Sequence, residues 1–184
     1  LMTLAAIDEC VRNLVCVGAN PERIAILDNF CWPSCKKPEN LGALVRAAEA
    51  CYDGAKAYRT PFISGKDSLN NQFTTEDGKT IEIPFTLLIS GFGIVPDIEK
   101  CITMDAKRAG NALVIVGATG SAMGGAHVNL VRDFRADESA LPVVDLEVGP
   151  KTARAIHSLI SERLIANAHD CSEGGLLVAA AEMA

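Results

Sequence analysis

"PFISGKDSLNNQF", residues 61–73, starts apolar and turns polar at Ser64. Gly65, Lys66, Asp67 and Ser68 then set a glycine, two opposite charges and a hydroxyl in a row. The stretch reads as a short buried strand, "PFIS", opening into a polar loop. A Walker-type phosphate loop needs glycine five positions before Gly65 and a hydroxyl after the lysine. Thr60 and Asp67 stand there instead. The chemistry survives the failed motif: Gly65 admits close backbone approach, Lys66 brings a point charge and Ser68 a hydroxyl. A ligand loop and a solvated turn both remain open on these residues alone.

Working outward, helical and strand patterns alternate. Leu4, Ile7, Val11, Leu14 and Val15 keep helical spacing, with Thr3 as the expected cap. The polar side of that helix carries Asp8, Glu9, Arg12 and Asn13. "RIAILDNF" (23–30) reads as a strand, and residues 39–58 as an Ala-rich helix. Asp77-Gly78 signals a hairpin. "TIEIPFTLLISGFGIV" (80–95) has the length of two strands, with Pro84 marking an edge or bulge. Beyond it, "ALVIVG" (112–117) reads as a buried strand and "GATGSAMGGAH" (117–127) as a glycine-rich turn. The segment 134–150 reads as irregular, residues 150–165 as a helix with Pro150 in its first turn, and "IANAHD" (165–170) as a strand. "CSEGG" leads into a last helix. The class is mixed α and β, with a division expected near residue 104.

Bulk properties narrow the function. The 184 residues carry a formal net charge of −6, and no Lys/Arg run offsets it, which argues against a nucleic-acid surface. A local cluster of donors can still hold a small anion. No apolar run of about 18 residues is present, so no membrane span is expected. Seven cysteines, an odd number without C-x-x-C spacing, read as reduced thiols in a cytoplasmic protein. Cys31 and Cys35 lack two further visible zinc ligands. Both ends look cut, since the chain opens directly on a helical pattern and closes inside one.

Three further stretches could carry chemistry. Glu9 and Asn13 lie four apart, so both side chains leave one helix face. A carboxylate and an amide oxygen at that spacing can share Mg²⁺, or can be an ordinary polar face. In "AHDCSEGG" (168–175), Asp170 ends the expected strand and Ser172 opens a helix. Helix-start N–H groups beside glycines form an anion site, and an Asp there can hold the cation that travels with phosphate. A plain serine cap is the alternative. The glycine-rich turn at 117–127 lacks the G-x-G-x-x-G spacing of dinucleotide folds. No H-E-x-x-H or G-x-S-x-G is present, the three histidines form no recognisable triad, and His157 reads as structural.

Taken together, "ECVRNLVCVGANPE" (9–22), "ILDNFCWPS" (26–34), "PFISGKDSLNN" (61–71) and "AHDCSEGGLLVAAAEM" (168–183) resemble the second synthetase half of the phosphoribosylformylglycinamidine synthases. These belong to the wider aminoimidazole ribonucleotide synthetase superfamily. The last motif is shared across that superfamily, selenophosphate synthetase included. "LDNFCWP" with "SGKDSLNN" is the part that favours the purine enzyme.

The resemblance implies an N-terminal-type α/β domain over 1–104, truncated at its start. It implies part of a C-terminal-type α+β domain over 105–184. It implies ATP-dependent conversion of formylglycinamide ribonucleotide, with ammonia from glutamine, to the amidine. Implied partners are the first synthetase half of the same enzyme and a glutaminase domain or subunit. Glu9, Asn13 and Asp170 match magnesium ligands of an auxiliary nucleotide site, and Ser172 a nucleotide contact there. Asp28 and Gly65 match positions that touch ATP, and Ser68 a substrate contact. At Lys66 smaller relatives carry a metal-binding Asn. A lysine cannot ligate Mg²⁺, so a direct phosphate contact is expected there. No catalytic residue is implied in this chain, which alone should not complete the reaction. Without its counterpart half, the apolar strand at 85–95 should drive self-association. The rival expectations are another ATP-dependent superfamily member, such as selenophosphate synthetase, and a non-catalytic nucleotide-binding module.

Overall fold

A computed structural model describes residues 1–131 and 140–184. The first helix, α1 (Met2–Cys16), buries Ile7, Val11 and Val15, one residue per turn on a single stripe. Strand β1 (Ile24–Cys31) turns Ile24 and Ile26 toward that stripe. Helix α2 (Pro38–Tyr58) begins with Pro38 in its first turn and ends on Arg59 in the left-handed region. Its Ala47 and Cys51 join Phe30, Trp32 and Leu87 in a second core cluster. Trp32 is anchored there. Its indole N–H donates to the Asn40 carbonyl at 2.9 Å, and its ring stacks on Phe85 at 4.8 Å.

The sheet has β1 at its centre. Strand β2 (Phe62–Ser68) pairs with it in parallel, and β5 (Thr86–Gly93) pairs antiparallel on the other edge. Strands β3 (Gln72–Thr74) and β4 (Thr80–Glu82) form the expected hairpin, with Gly78 at φ +83°. Pro84 lies in the break between β4 and β5. One face of the sheet carries α1 and α2. The fit is close enough to dictate glycine in β5. A Cβ at Gly91 would stand 2.9 Å from Leu14 Cδ1, and one at Gly93 2.7 Å from the Ala19 methyl.

Past β5 come a short turn at Ile98–Lys100, α3 (Val128–Val131), α4 (Val148–Ser161) and α5 (Gly175–Glu182). Helix α4 returns to the first segment and packs on α1 through a face that buries Ala153 and Ile160. Its start is tight. A Cβ on Gly149 would meet the Tyr58 hydroxyl, with the Tyr58 Cζ at 3.1 Å.

The mixed class holds, with five corrections. Thr3 does not cap α1; the helix starts at Met2, and Thr3 is 3% exposed within its first turn. "SGKDS" is not a loop, because β2 runs through it to Ser68, held by backbone pairing to β1. Nor is its apolar start buried, since Ile63 is 61% exposed. Residues 112–117 form no strand; Leu113, Val114, Ile115 and Val116 are exposed, and no described strand pairs with them. Residues 165–170 are likewise irregular, for the same lack of a neighbour. Of the segment 134–150, residues 134–139 lie outside the described residues.

The face of the sheet away from the helices is open. Leu88 and Phe92 of β5 alternate with the buried row and are 58% and 63% exposed. Fully burying a side chain of this size contributes about 1.5–3 kcal/mol. The 184-residue chain alone is therefore expected to self-associate, and Leu88→Gln with Phe92→Ser to restore monomers in light scattering. A wild-type chain that stays monomeric at high concentration contradicts this.

Candidate functional site

The polar side of α1 faces the loop before α5. Between them lies an open cavity of about 190 Å³, lined by Glu9, Asn13, His169, Asp170, Ser172, Glu173, Ala179 and Glu182. Helix α1 is fixed by its apolar stripe, so Glu9 and Asn13, one turn apart, point into this space. Asp170, Ser172 and Glu173 arrive from more than 150 residues away. The structure thus brings together Glu9, Asn13, Asp170 and Ser172.

Asp170 is the buried centre, its side chain 5% exposed. Its Oδ2 accepts from Arg12 Nη1 at 3.3 Å, from Asn13 Nδ2 at 3.3 Å and from the Ser172 hydroxyl. Ser172 is therefore not the cap of α5; Gly174, at φ +82°, occupies that position. Oδ1 faces His169 Nδ1 at 3.5 Å, and His169 Nε2 meets Glu182 Oε2 at 2.6 Å. Arg12 Nε also donates to Asp8 Oδ2 at 2.7 Å, and Arg12 Nη1 to the Cys171 carbonyl at 3.0 Å. The Tyr58 hydroxyl donates to Asp8 Oδ1.

Carboxylates dominate the cavity wall: Glu9, Asp170, Glu173 and Glu182, with no lysine or arginine among the lining residues. Burial raises the Glu9 carboxyl, and the nearby charges of Glu173, Asp170 and Asp8 raise it further, against the opposing pull of Arg12. Burial also pushes the Cys16 thiol up to about 11, with the Asp170 charge adding to it, so it stays protonated at neutral pH.

Such a wall favours a cation. Among the described residues, no three His, Cys, Asp or Glu side chains converge closely enough to hold a metal by themselves. Mg²⁺ does not require that, because it usually keeps several waters and takes one or two carboxylates plus phosphate oxygens. Glu9 and Asp170 fit that donor set. Asn13 fits once its amide turns, since its nitrogen now faces Asp170 and the Glu9 carbonyl.

The other expected group divides. Asp28 lies in the inward row of β1 and registers with Gly65 on β2. A Cβ at residue 65 would strike the Asp28 carboxylate, with Cγ at 2.8 Å, so any larger residue would force that side chain to shift. Burial raises the Asp28 carboxyl and the charge of Asp67 adds to it, while the Lys66 backbone N–H counteracts both. Lys66 and Ser68 alternate with Gly65 and leave the opposite face of the sheet. There Lys66 Nζ donates to Ser68 Oγ at 2.6 Å. The sheet thus separates Asp28 from the Lys66–Ser68 pair.

Sequence reasoning gave no site role to Asp8, Arg12, Tyr58, Glu173 or Glu182. The i,i+4 spacing of Asp8 and Arg12 was the available signal. Nothing local points to Tyr58 or Glu182.

Gly65→Ala is expected to destabilise by about 1–3 kcal/mol through overpacking against Asp28. The cost should shrink in an Asp28→Ala background, as read by urea denaturation. Equal costs in both backgrounds would mean the clash lies elsewhere.

The family model described as AIR synthase related protein, N-terminal domain, matches residues 2–95. The corresponding C-terminal domain model matches residues 108–184. Among curated relatives, the phosphoribosylformylglycinamidine synthase subunit PurL of Caulobacter vibrioides is 37% identical over 97% of this chain and 23% of its own length. The subunit of the same name from Deinococcus radiodurans is 37% identical over 98% of this chain and 24% of its own. That from Methanocaldococcus jannaschii is 37% identical over 97% and 24%. The chain spans about a quarter of the length of these relatives. On the match of residues 2–95, continued by the second model over 108–184, the chain belongs to the AIR synthase related protein family.

Proposed function

We propose that this chain is part of the synthetase of phosphoribosylformylglycinamidine synthase, an ATP-dependent C–N ligase of purine biosynthesis. In this reading the cavity between α1 and α5 is an auxiliary site for Mg²⁺ and a nucleotide diphosphate. The convergence of Glu9 and Asn13 with Asp170 and Ser172 on one carboxylate-lined cavity carries the proposal. The relatives' names supply the product, phosphoribosylformylglycinamidine; in this reading formylglycinamide ribonucleotide gains a nitrogen from glutamine-derived ammonia at the expense of ATP.

The chain's own residues have definable tasks there. Glu9 and Asp170 would hold the cation, the Asn13 amide oxygen would join them, and the Ser172 hydroxyl would turn to a phosphate oxygen. Bound Mg²⁺ supplies positive charge against the phosphates. At about 190 Å³ the cavity is smaller than the 300–1,000 Å³ of typical small-molecule sites. It suits the phosphate–cation group, leaving the nucleoside to lie outside it. In the second group, Asp28 and Gly65 touch nucleotide on the inner side of the sheet. Lys66 and Ser68 meet phosphate or substrate on the open face.

The division near residue 104 is supported by the interval between the two family models. The open face of β5 suits the first synthetase half as its cover. A glutaminase domain or subunit completes the proposed enzyme. Among the described residues no helix is long and apolar enough to cross a membrane. The assignment to the cytoplasm rests on the proposed place in purine biosynthesis.

The test is calorimetry of ADP binding to the full-length synthetase, with Mg²⁺ and with EDTA. Binding is expected only with Mg²⁺. Asp170→Asn is expected to weaken it at least tenfold, about 1.4 kcal/mol. The metal-free fold should change little, because Arg12 keeps Asp8 and the Cys171 carbonyl. ADP binding equally well in EDTA would overturn the reading.

A further inference from the structure

One arginine, outside the cavity lining, bonds a carboxylate on which the cation is expected. Arg12 reaches from α1 to two carboxylates that belong to different parts of the chain. Toward Asp8 its grip is firm, at 2.7 Å through Nε, within the range of short charge-assisted bonds. Toward Asp170 it is loose, at 3.3 Å through Nη1. The firm end is also the well-supported one. Asp8 accepts from the Tyr58 hydroxyl at the end of α2, and the absent side chain of Gly149 lets α4 close over that pair.

The loose end is oversubscribed. A carboxylate has about four lone-pair sites over its two oxygens. Oδ2 of Asp170 accepts from Arg12, Asn13 and Ser172 together, three donors for about two sites. All three donors must yield in some measure before that oxygen can ligate a metal. Asn13 and Ser172 can do so by turning a terminal amide or a hydroxyl. Arg12 is different, because it carries a full positive charge that competes with the cation directly. It is also the cation that offsets Asp170 from α1, in a cavity whose own lining holds four carboxylates.

We propose that Arg12 is the built-in counter-ion of Asp170, holding that carboxylate until a divalent cation takes it and then remaining on Asp8. This rests on the reading of the cavity as a Mg²⁺–nucleotide site. Arg12 is in this role a positioning residue that sets cation affinity, and it touches neither metal nor phosphate. The asymmetry of its two contacts suits an exchange: one end anchored by three helices, the other released at small cost. The Cys171 carbonyl, which accepts from the same nitrogen as Asp170 at 3.0 Å, keeps the 170–172 loop near Arg12 during the exchange.

The experiment measures the Mg²⁺ concentration needed for ADP binding in the full-length synthetase, by calorimetry, with melting temperature in EDTA as the folding control. Arg12→Gln removes the competitor, so about tenfold less Mg²⁺ should suffice, while the metal-free protein melts lower. Asp8→Asn frees Arg12 to settle on Asp170, so more Mg²⁺ should be needed. These opposite directions are what a simple strut would not produce. If Arg12→Gln does not fold, Arg12→Lys serves. A lysine holds one carboxylate at a time, and the Mg²⁺ requirement should fall by a smaller factor. An unchanged requirement in the Arg12 variants makes Arg12 a strut, and a raised one makes it a ligand contact; either overturns the proposal alone. Wild-type ADP binding indifferent to Mg²⁺ overturns the cavity reading and the proposal with it.

Discussion

Everything in this fold hangs on how closely α1 lies against the sheet. Ile7, Val11 and Val15 meet Ile24 and Ile26 with almost no exposed surface between them. That contact requires β5 to lack side chains where the helix crosses, at Gly91 and Gly93. Gly54 does the same for α2, where a Cβ would sit 2.8 Å from Ile7 Cδ1. With its apolar stripe committed on one side, α1 has no rotational freedom left. Its polar side, Asp8 to Asn13, is consequently presented to the second segment in a single orientation. Core packing here acts as the instrument that aims the site.

The parts of the fold legible in the sequence were those whose partners lie nearby. The stripe of α1, the extent of α2 and the Asp77-Gly78 hairpin all follow from local pattern. "ALVIVG" was misread because an apolar run records a preference for burial without recording where the covering strand is. "SGKDS" was misread for the opposite reason. Its side chains look like a loop, but parallel pairing to β1 uses backbone groups, which composition does not reveal. Polar residues on a strand with an open face carry little strand signal.

The site was legible in the same uneven way. Glu9 and Asn13 could be paired by helix spacing, and Asp170 and Ser172 by their place before a glycine-rich helix start. Resemblance, not physics, linked the two pairs. The structure adds the residues between them. Asp8, Arg12 and Tyr58 form a chain of hydrogen bonds reaching Asp170, and His169 with Glu182 backs it from the other side. Of these contacts only Asp8–Arg12 follows a sequence period, at i,i+4; the others span distant parts of the chain and could not be read from it.

Gly149 carries a consequence for how this molecule opens. It lies past the interval between the two family models, yet it seats α4 against a tyrosine of the first segment. Local opening free energies divide a protein into cooperative units that need not follow domain borders. Here α1, α2 and α4 share one buried seam, so their slowly exchanging amide hydrogens should form one group. Residues 112–131, with little buried side chain, belong to a faster group although they lie between the segments that form that seam. The lines along which the chain unfolds are therefore drawn by packing and cut across the order of the sequence.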